Sequence, residues 1–147
     1  MRPEEHRRLA VDLFNRVWQL LERPQRTAAE TDEMIHAAHA SRYHWSQVGT
    51  AVNLARGEWQ CSRVYAVLGR AEPALWHAQR CLELVEGAPE AEDWDLPFAY
   101  EALARAHGQA GEPEDAARYR RLAQETGEAI ADTEDRELLL GALATLP

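Results

Sequence analysis

The stretch SRVYAVLGRAEPALWHAQRC, residues 62–81, decides the fold, because it reads as two helices joined at a glycine. Its pattern returns 42 residues later in ARAHGQAGEPEDAARYRRLA, residues 104–123. Gly69 then falls on Gly111, and the alanine five residues after each glycine is repeated as well. Glycine frees the backbone for the turn between two helices, and small residues let those helices approach closely. The repeat therefore predicts two helical hairpins that stack on each other.

The order of residue sizes within each unit resembles the tetratricopeptide repeat (TPR). In that family a small residue and an aromatic residue lie three apart in the first helix, as Ser62 and Tyr65 do here. The resemblance covers about residues 55–127, although the family's period is about 34 residues and its closing proline is absent or displaced here. Other αα-hairpin folds produce similar patterns and are the alternative. The stretches 34–45 and 53–70 are also similar to uncharacterised bacterial TPR-like proteins, a likeness that implies no activity.

Helical periodicity extends over the whole chain, and no segment alternates between apolar and polar residues as a strand would. The sequence therefore predicts one all-α domain over 1–147 with about seven helices. They would form antiparallel hairpins in the short right-handed solenoid that the TPR resemblance implies. Thr27 and Glu30 predict a capping box, and Asp95 is predicted to cap the fifth helix. The predicted units are an N-terminal hairpin at 1–49, which we interpret as a diverged repeat, a second hairpin at 50–87, a third at 95–130 and a terminal capping helix at 132–146.

Composition and charge exclude several functions. The 147 residues include no lysine, which excludes a Walker A phosphate loop and Schiff-base catalysis. Residues 83–147 hold 16 acids and five arginines, and this negative charge disfavours nonspecific binding to nucleic acid. No apolar run approaches the roughly 20 residues of a membrane span, and the N-terminus lacks a signal-peptide core, so we expect a cytoplasmic protein. Cys61 and Cys81 are expected to be buried thiols, with a redox or nucleophilic role as the alternative.

Arginines and aromatic residues occupy the helix face that lines a concave groove in TPR proteins. Arginine binds carboxylates through two parallel hydrogen bonds, and large aromatic residues often anchor a partner. This face therefore predicts a site for a peptide, a protein partner with an acidic tail or a small anionic ligand. The alternative is that the arginines pair with acids inside the domain, such as Glu58 or Glu101. The predicted groove residues are Arg56, Trp59 and Arg63 in the second hairpin and Phe98, Glu101 and Arg105 in the third.

A group of histidines forms a second candidate site. His36, His39 and Tyr43 share one face of the second helix, because they lie three or four residues apart. Three interpretations are open: hydrogen bonds inside a helix interface, a divalent metal bound by His36 and His39, and a catalytic histidine. Gly57 in mid-helix indicates a close approach of the second and third helices, which would join this group to the groove in one pocket. The residues of the predicted pocket are His36, His39, Tyr43, Asn53 and Glu58, and Glu30 and Glu33 are further candidate metal ligands.

The repeat and the missing catalytic motifs favour an interaction module over an enzyme. The sequence contains no GxSxG, no CxxC and no glycine-rich phosphate loop. We therefore predict a scaffold without a cofactor that binds a protein or peptide partner, with a homodimer as one arrangement and neither nucleic acid nor membrane as partner. The alternative function is a metal- or small-molecule-binding protein, which could be enzymatic, at the histidine group. Among the five tryptophans, Trp94 is expected to be partly exposed.

Overall fold

Seven helices and no strand make up the fold, in a computed structural model that describes all 147 residues. This confirms the all-α prediction. The third hairpin ends at Gly127 rather than at 130, which is the largest departure from the predicted hairpin bounds. The helices are α1 (Pro3–Leu21), α2 (Ala28–Val48), α3 (Ala51–Val67), α4 (Ala71–Glu86), α5 (Asp95–Gln109), α6 (Pro113–Gly127) and α7 (Thr133–Ala144).

Consecutive helices pack as hairpins: α1 with α2, α3 with α4, and α5 with α6. α2 then contacts α3, and α4 contacts α5, so the hairpins stack in the order of the chain. α7 packs against α5 and α6 at the end of the stack. None of the seven helices combines the length and the hydropathy that crossing a membrane requires.

The two repeated turns have the same backbone geometry. Gly69 and Gly111 adopt left-handed conformations with φ of 73° and 76°, which side chains with a Cβ rarely adopt. In the first turn the amide of Gly69 donates to the carbonyl of Ala66 at 3.0 Å, and the amide of Arg70 donates to that of Tyr65 at 2.9 Å. The same two bonds recur 42 residues later at 3.2 and 3.0 Å. Both hairpins therefore turn through the same glycine-dependent helix ending.

A stacked pair of rings joins the two helices of each repeated hairpin. Tyr65 and His77 stack with ring centroids 5.7 Å apart and planes 9° apart. His107 and Tyr119 stack at 5.4 Å and 8°. These are the same two positions in the repeat, and the tyrosine and the histidine have exchanged places between the hairpins. The contact is kept while its residues change, which supports the internal repeat independently of the glycines.

Small side chains let the second and third hairpins approach closely. Ala55, Ala78, Ala99 and Ala102 are buried together with Leu103 in the core between these hairpins. Alanine occupies little space at a helix contact, so two helix surfaces can meet without the gaps that longer side chains would force. The alternation of small and larger residues therefore sets how close α3, α4 and α5 lie.

Two helix caps are predicted from the sequence, and the structure contains one of them but not the other. The capping box is confirmed: the amide of Glu30 donates to the Thr27 hydroxyl at 3.1 Å, and the Glu30 carboxylate accepts from the Thr27 amide at 3.0 Å. Asp95 does not cap α5, which begins after Trp94 without a side-chain cap. Instead the Asp95 carboxylate binds Arg56, and this ion pair belongs to the site described next.

Candidate functional site: an aromatic groove

A groove of about 460 Å³ lies between α1, α3, α5 and α7, with residues of α4 also contributing. Each hairpin contributes residues of its first helix. Ten of the 14 lining residues are hydrophobic, and five of these are aromatic. We call this surface the aromatic groove; its lining residues are Phe14, Trp18, Ala55, Arg56, Trp59, Arg63, Cys81, Val85, Trp94, Asp95, Phe98, Asp135, Leu138 and Ala142.

The aromatic side chains of the groove form a continuous row of rings. Trp18 of α1 lies 5.6 Å from Trp59 of α3, measured between ring centroids. Trp59 meets Phe98 of α5 edge to face at 6.0 Å, and Phe98 meets Trp94 edge to face at 6.5 Å. These separations are typical of favourable aromatic contacts. The row crosses from the first hairpin to the third, so its shape depends on how the hairpins stack.

Arg56 is held in the groove wall by Asp95. Its Nε and Nη2 donate to the two carboxylate oxygens at 3.0 and 2.9 Å, which is the bidentate geometry of a strong ion pair. The Asp95 side chain is only 3% exposed, and it also accepts from the amide of Glu92 at 2.9 Å. The guanidinium lies over the Trp94 ring, 4.3 Å from its centroid. Arg56 is therefore fixed by a carboxylate and a ring that both belong to this chain.

Glu101 pairs with the other two arginines predicted for the groove. Its side chain is 0% exposed and lies 3.3 Å from Nη2 of Arg63 and 2.9 Å from Nε of Arg105. Burial lowers the pKa of Arg63, and the negative charge of Glu101 opposes that effect. Arg105 also donates to the carbonyl of Ala142 at 3.1 Å and to the Thr145 hydroxyl at 2.8 Å. Arg105 therefore anchors the end of α7 to α5, and neither it nor Glu101 lines the groove.

The charges on the groove wall cancel. Arg56 and Arg63 are matched there by Asp95 and Asp135. All three predicted arginines pair with acids of this chain, which is the internal alternative that the sequence left open. Of the six predicted groove residues, the structure brings together four, which are Arg56, Trp59, Arg63 and Phe98.

Sequence reasoning missed the contributions of α1, α7 and the loop before α5. Phe14 and Trp18 lie four residues apart on α1, a spacing that was visible as helical periodicity but carried no repeat pattern. Leu138 comes from α7, which lies outside the repeat. Trp94 is half-buried, in agreement with the expectation of partial exposure, whereas Trp76 is the most exposed tryptophan at 64%.

A network of polar side chains connects α2, α3 and α4. We call it the polar cluster, and it consists of His39, Arg42, Glu58, Tyr65 and His77. Nε2 of His39 lies 2.8 Å from the Tyr65 hydroxyl, and the rings of His39 and His77 lie 5.3 Å apart. The Glu58 carboxylate lies 2.5 Å from Nδ1 of His77 and accepts from Nε of Arg42 at 3.0 Å. Each side chain of the polar cluster therefore has a partner within the chain.

Only His39 and Glu58 of the predicted histidine pocket belong to the polar cluster. His36 is exposed, Tyr43 is 58% exposed, and Asn53 accepts from the amide of Thr50 as part of the α3 cap. No set of three His, Cys, Asp or Glu ligand atoms within 4.8 Å of one another includes His36 or His39. The metal ligands predicted from their spacing are therefore not assembled: His36 is exposed, whereas His39 contacts the Tyr65 hydroxyl.

Gly57 does allow α2 and α3 to approach closely, at Arg42. A Cβ on Gly57 would lie 2.9 Å from Cδ of Arg42, so any larger residue would displace the side chain that binds Glu58. The groove lining includes no member of the polar cluster. The expectation that the two candidate sites share one pocket is therefore wrong, because they use different residues of α3.

Burial and charge set the protonation of the polar cluster. Burial alone would raise the pKa of Glu58, but the hydrogen bonds and charges of His77 and Arg42 outweigh it and lower that pKa. Burial, reinforced by the nearby His77, lowers the pKa of His39. Burial also raises the pKa of the Cys61 thiol to about 12. The Cys81 thiol is buried too, and its pKa is raised for the same reason. Neither cysteine is a thiolate near neutral pH, which leaves both as buried apolar residues.

We expect the domain to lose stability as the pH falls from 7 to about 5.5, and His39 to cause part of the loss. The pKa of His39 is lower in the folded protein than in the unfolded chain. As the pH falls through the ordinary histidine range, the unfolded chain therefore binds a proton that the folded protein does not, which favours unfolding. His44, whose pKa is lowered by burial and by His6, acts in the same direction. The free energy of unfolding in urea, measured across this range, should fall less steeply for His39→Gln than for the wild type. The exposed His36→Gln is the control, and equal slopes for His39→Gln and the wild type would contradict the assignment.

The site thus offers a preformed apolar groove with neutral charge, next to an internal polar network. The groove can bury large uncharged groups against rings, while the polar cluster fixes the helices that carry them. Comparisons with models of known protein families, with curated proteins and with solved structures found no match to this chain.

Proposed function

We propose that this domain is a binding module whose aromatic groove holds a large, uncharged, apolar side chain presented by a partner protein. The observation that carries the proposal is the row of rings from Trp18 to Trp94, which lines a groove whose arginines are already paired with acids. A tryptophan, phenylalanine or leucine of the partner would fill this space.

The size and lining of the groove support this occupant. A volume of about 460 Å³ lies in the range of sites that enclose a compact ligand or one to two large side chains. Aromatic residues in such a position bury much area at little cost in side-chain entropy, which is why they are common at the centres of binding sites. The rings already contact one another, so little rearrangement is needed before binding.

The charge of the groove argues for an uncharged occupant rather than an acidic tail. A carboxylate ligand would either compete with Asp95 or Glu101 for the groove arginines or bind beside a buried acid of like charge. Leaving the buried Asp95 without its charged partner costs several kcal/mol, of order 3–5, whereas Glu101 would keep Arg105. An apolar side chain avoids that exchange, because it binds the rings and leaves both ion pairs intact.

Selection from a library of displayed random peptides against the immobilised full chain tests the proposal. We expect enriched peptides to carry Trp, Phe or Leu without an excess of Asp or Glu. The neutral aromatic dye N-phenyl-1-naphthylamine should compete with a selected peptide. Enrichment of acidic peptides would reject the uncharged occupant. Dye binding without any selected peptide would show that the groove takes small apolar molecules instead of a protein partner.

Leu138→Asp should weaken binding of a selected peptide by about tenfold or more, because it places a carboxylate in the apolar wall that the peptide must cover. Leu140→Asp is a matched control on the same helix. Leu138 and Leu140 are 66% and 53% exposed, so neither change should unfold the domain, yet only Leu138 lines the groove. Fluorescence anisotropy with a labelled peptide measures both affinities. Equal losses for the two variants, or none for either, would show that the peptide binds elsewhere.

A further inference from the structure

We propose that the turn between α5 and α6 is a binding site for a divalent transition-metal ion such as Zn²⁺. Its ligands are His107 from the last turn of α5, Glu112 from the connection and Asp115 from the first turn of α6. Nδ1 of His107 lies 3.2 Å from Oε1 of Glu112 and 4.0 Å from Oδ2 of Asp115. The three ligand atoms all lie within 4.8 Å of one another. This site is independent of the aromatic groove.

The fold holds the three side chains in place from several directions. The left-handed Gly111 brings the amide of Glu112 onto the carbonyl of His107 at 3.0 Å. The ring of Tyr119 stacks on His107 and fixes the plane of the imidazole. Asp115 binds Arg118 through its other oxygen, Oδ1, at 3.3 Å, which leaves Oδ2 facing the histidine. His107 and Asp115 are therefore oriented by contacts that a bound ion would not break, whereas the ion would replace the contact between His107 and Glu112.

The separations suit a metal ion after small side-chain movements. Zn²⁺ binds nitrogen at about 2.0–2.1 Å and carboxylate oxygen at about 2.0–2.2 Å, which places tetrahedral ligands roughly 3.4 Å apart. The observed 3.2 Å is close to that value, and a small rotation of the Asp115 side chain, which is 44% exposed, would shorten the 4.0 Å contact. One imidazole and two carboxylates favour Zn²⁺ or a similar transition metal over Ca²⁺, which prefers oxygen ligands alone. Water would complete the coordination.

The second hairpin shows that the turn itself does not require these residues. The positions of His107, Glu112 and Asp115 are occupied 42 residues earlier by Tyr65, Arg70 and Pro73, which form the same turn without metal-binding groups. The end of α5 favours a cation and the start of α6 disfavours one, so the helix dipoles roughly cancel. The two carboxylates, one of them paired with Arg118, therefore leave the site negatively charged, which favours a cation.

Isothermal titration of the untagged full chain with ZnCl₂ tests the proposal. We expect His107→Phe, which keeps the ring stack on Tyr119, to lose one equivalent of Zn²⁺ or to weaken its binding by about tenfold or more. His36→Ala removes an exposed histidine outside the site and should leave the isotherm unchanged. The paired rings of His6 and His44, whose Nδ1 atoms lie 2.9 Å apart, are a second place where Zn²⁺ could bind, so the equivalents are counted for each variant.

A second variant separates the carboxylates from the imidazole. Glu112→Gln combined with Asp115→Asn keeps the size of both side chains and should weaken Zn²⁺ binding at least as much as His107→Phe does. Titration of the wild type with CaCl₂ should give no binding comparable to that of Zn²⁺. The site is ruled out if the wild type binds no Zn²⁺, or if His107→Phe keeps both the number of equivalents and the affinity of the wild type.

Discussion

Replacing Glu101 by glutamine is expected to lower the free energy of unfolding by about 3 kcal/mol, which corresponds to a fall in Tm of roughly 6–12 °C for a domain of this size. Glu101 is fully buried and is the acid shared by Arg63 and Arg105. The amide keeps the shape of the side chain but leaves two guanidinium groups without a counter-charge. Breaking a buried ion pair costs about 3–5 kcal/mol. We expect the lower end of that range, because the Arg63 side chain is 21% exposed and can turn toward water.

A double-mutant cycle distinguishes loss of charge pairing from loss of packing. Arg63→Met in the Glu101→Gln background removes one of the unpaired charges, so the double variant should lose less stability than the sum of the single variants. Glu137→Gln on the exposed surface of α7 is the control and should change stability by less than about 0.5 kcal/mol. Urea unfolding followed by circular dichroism gives the free energy of unfolding of the wild type, the two single variants, the double variant and the control. A loss below 1 kcal/mol for Glu101→Gln would show that the pair contributes little.

Helices and turns could be predicted from the sequence because local residues determine them. The capping box at Thr27 requires only a hydroxyl and a carboxylate three residues apart. The turns at Gly69 and Gly111 require a residue that adopts positive φ. Glycine adopts such a conformation readily, so the two glycines predict the turns. Asp95 shows the limit of this reasoning. As a residue near a helix start it is a good cap, but Arg56, 39 residues earlier, binds its carboxylate instead.

The pairing of the groove arginines and the full set of groove walls could not be predicted, because both depend on contacts between hairpins. The sequence placed Arg56, Trp59, Arg63 and Phe98 on one face, and the structure brings them together. It could not decide whether the arginines face a ligand or an acid, since Glu101 lies 38 residues from Arg63. The α1 and α7 walls were also missed, because neither helix belongs to the repeat that located the others.

The two repeated hairpins differ where their surroundings differ. Ala78 is fully buried between the second and third hairpins. Its counterpart 42 residues later is Arg120, which is exposed because no fourth hairpin packs on α6. The mismatch at this position therefore reflects the end of the stack and does not weaken the repeat. Terminal units of stacked-repeat proteins commonly carry a polar outer face for the same reason.

Exchanging these two residues tests that explanation and should produce effects of very different size. Ala78→Arg places a guanidinium among apolar side chains with no acid provided for it, and a fully buried position gives its long stem no route to water. We expect a loss of at least about 3 kcal/mol, which is a large part of the roughly 5–15 kcal/mol that stabilises a typical domain. Arg120→Ala removes a side chain from the solvent-exposed face of α6 and should change stability by less than about 0.5 kcal/mol.

Urea unfolding and thermal melting of both variants measure the difference. If Ala78→Arg does not fold, its expression and helical content compared with Gln79→Leu, an exposed change on the same helix, show whether burial is the cause. A folded Ala78→Arg within 1 kcal/mol of the wild type would mean that the second and third hairpins separate enough to admit water. The hairpins would then move relative to each other in solution, and the row of rings that crosses them would not be a preformed site.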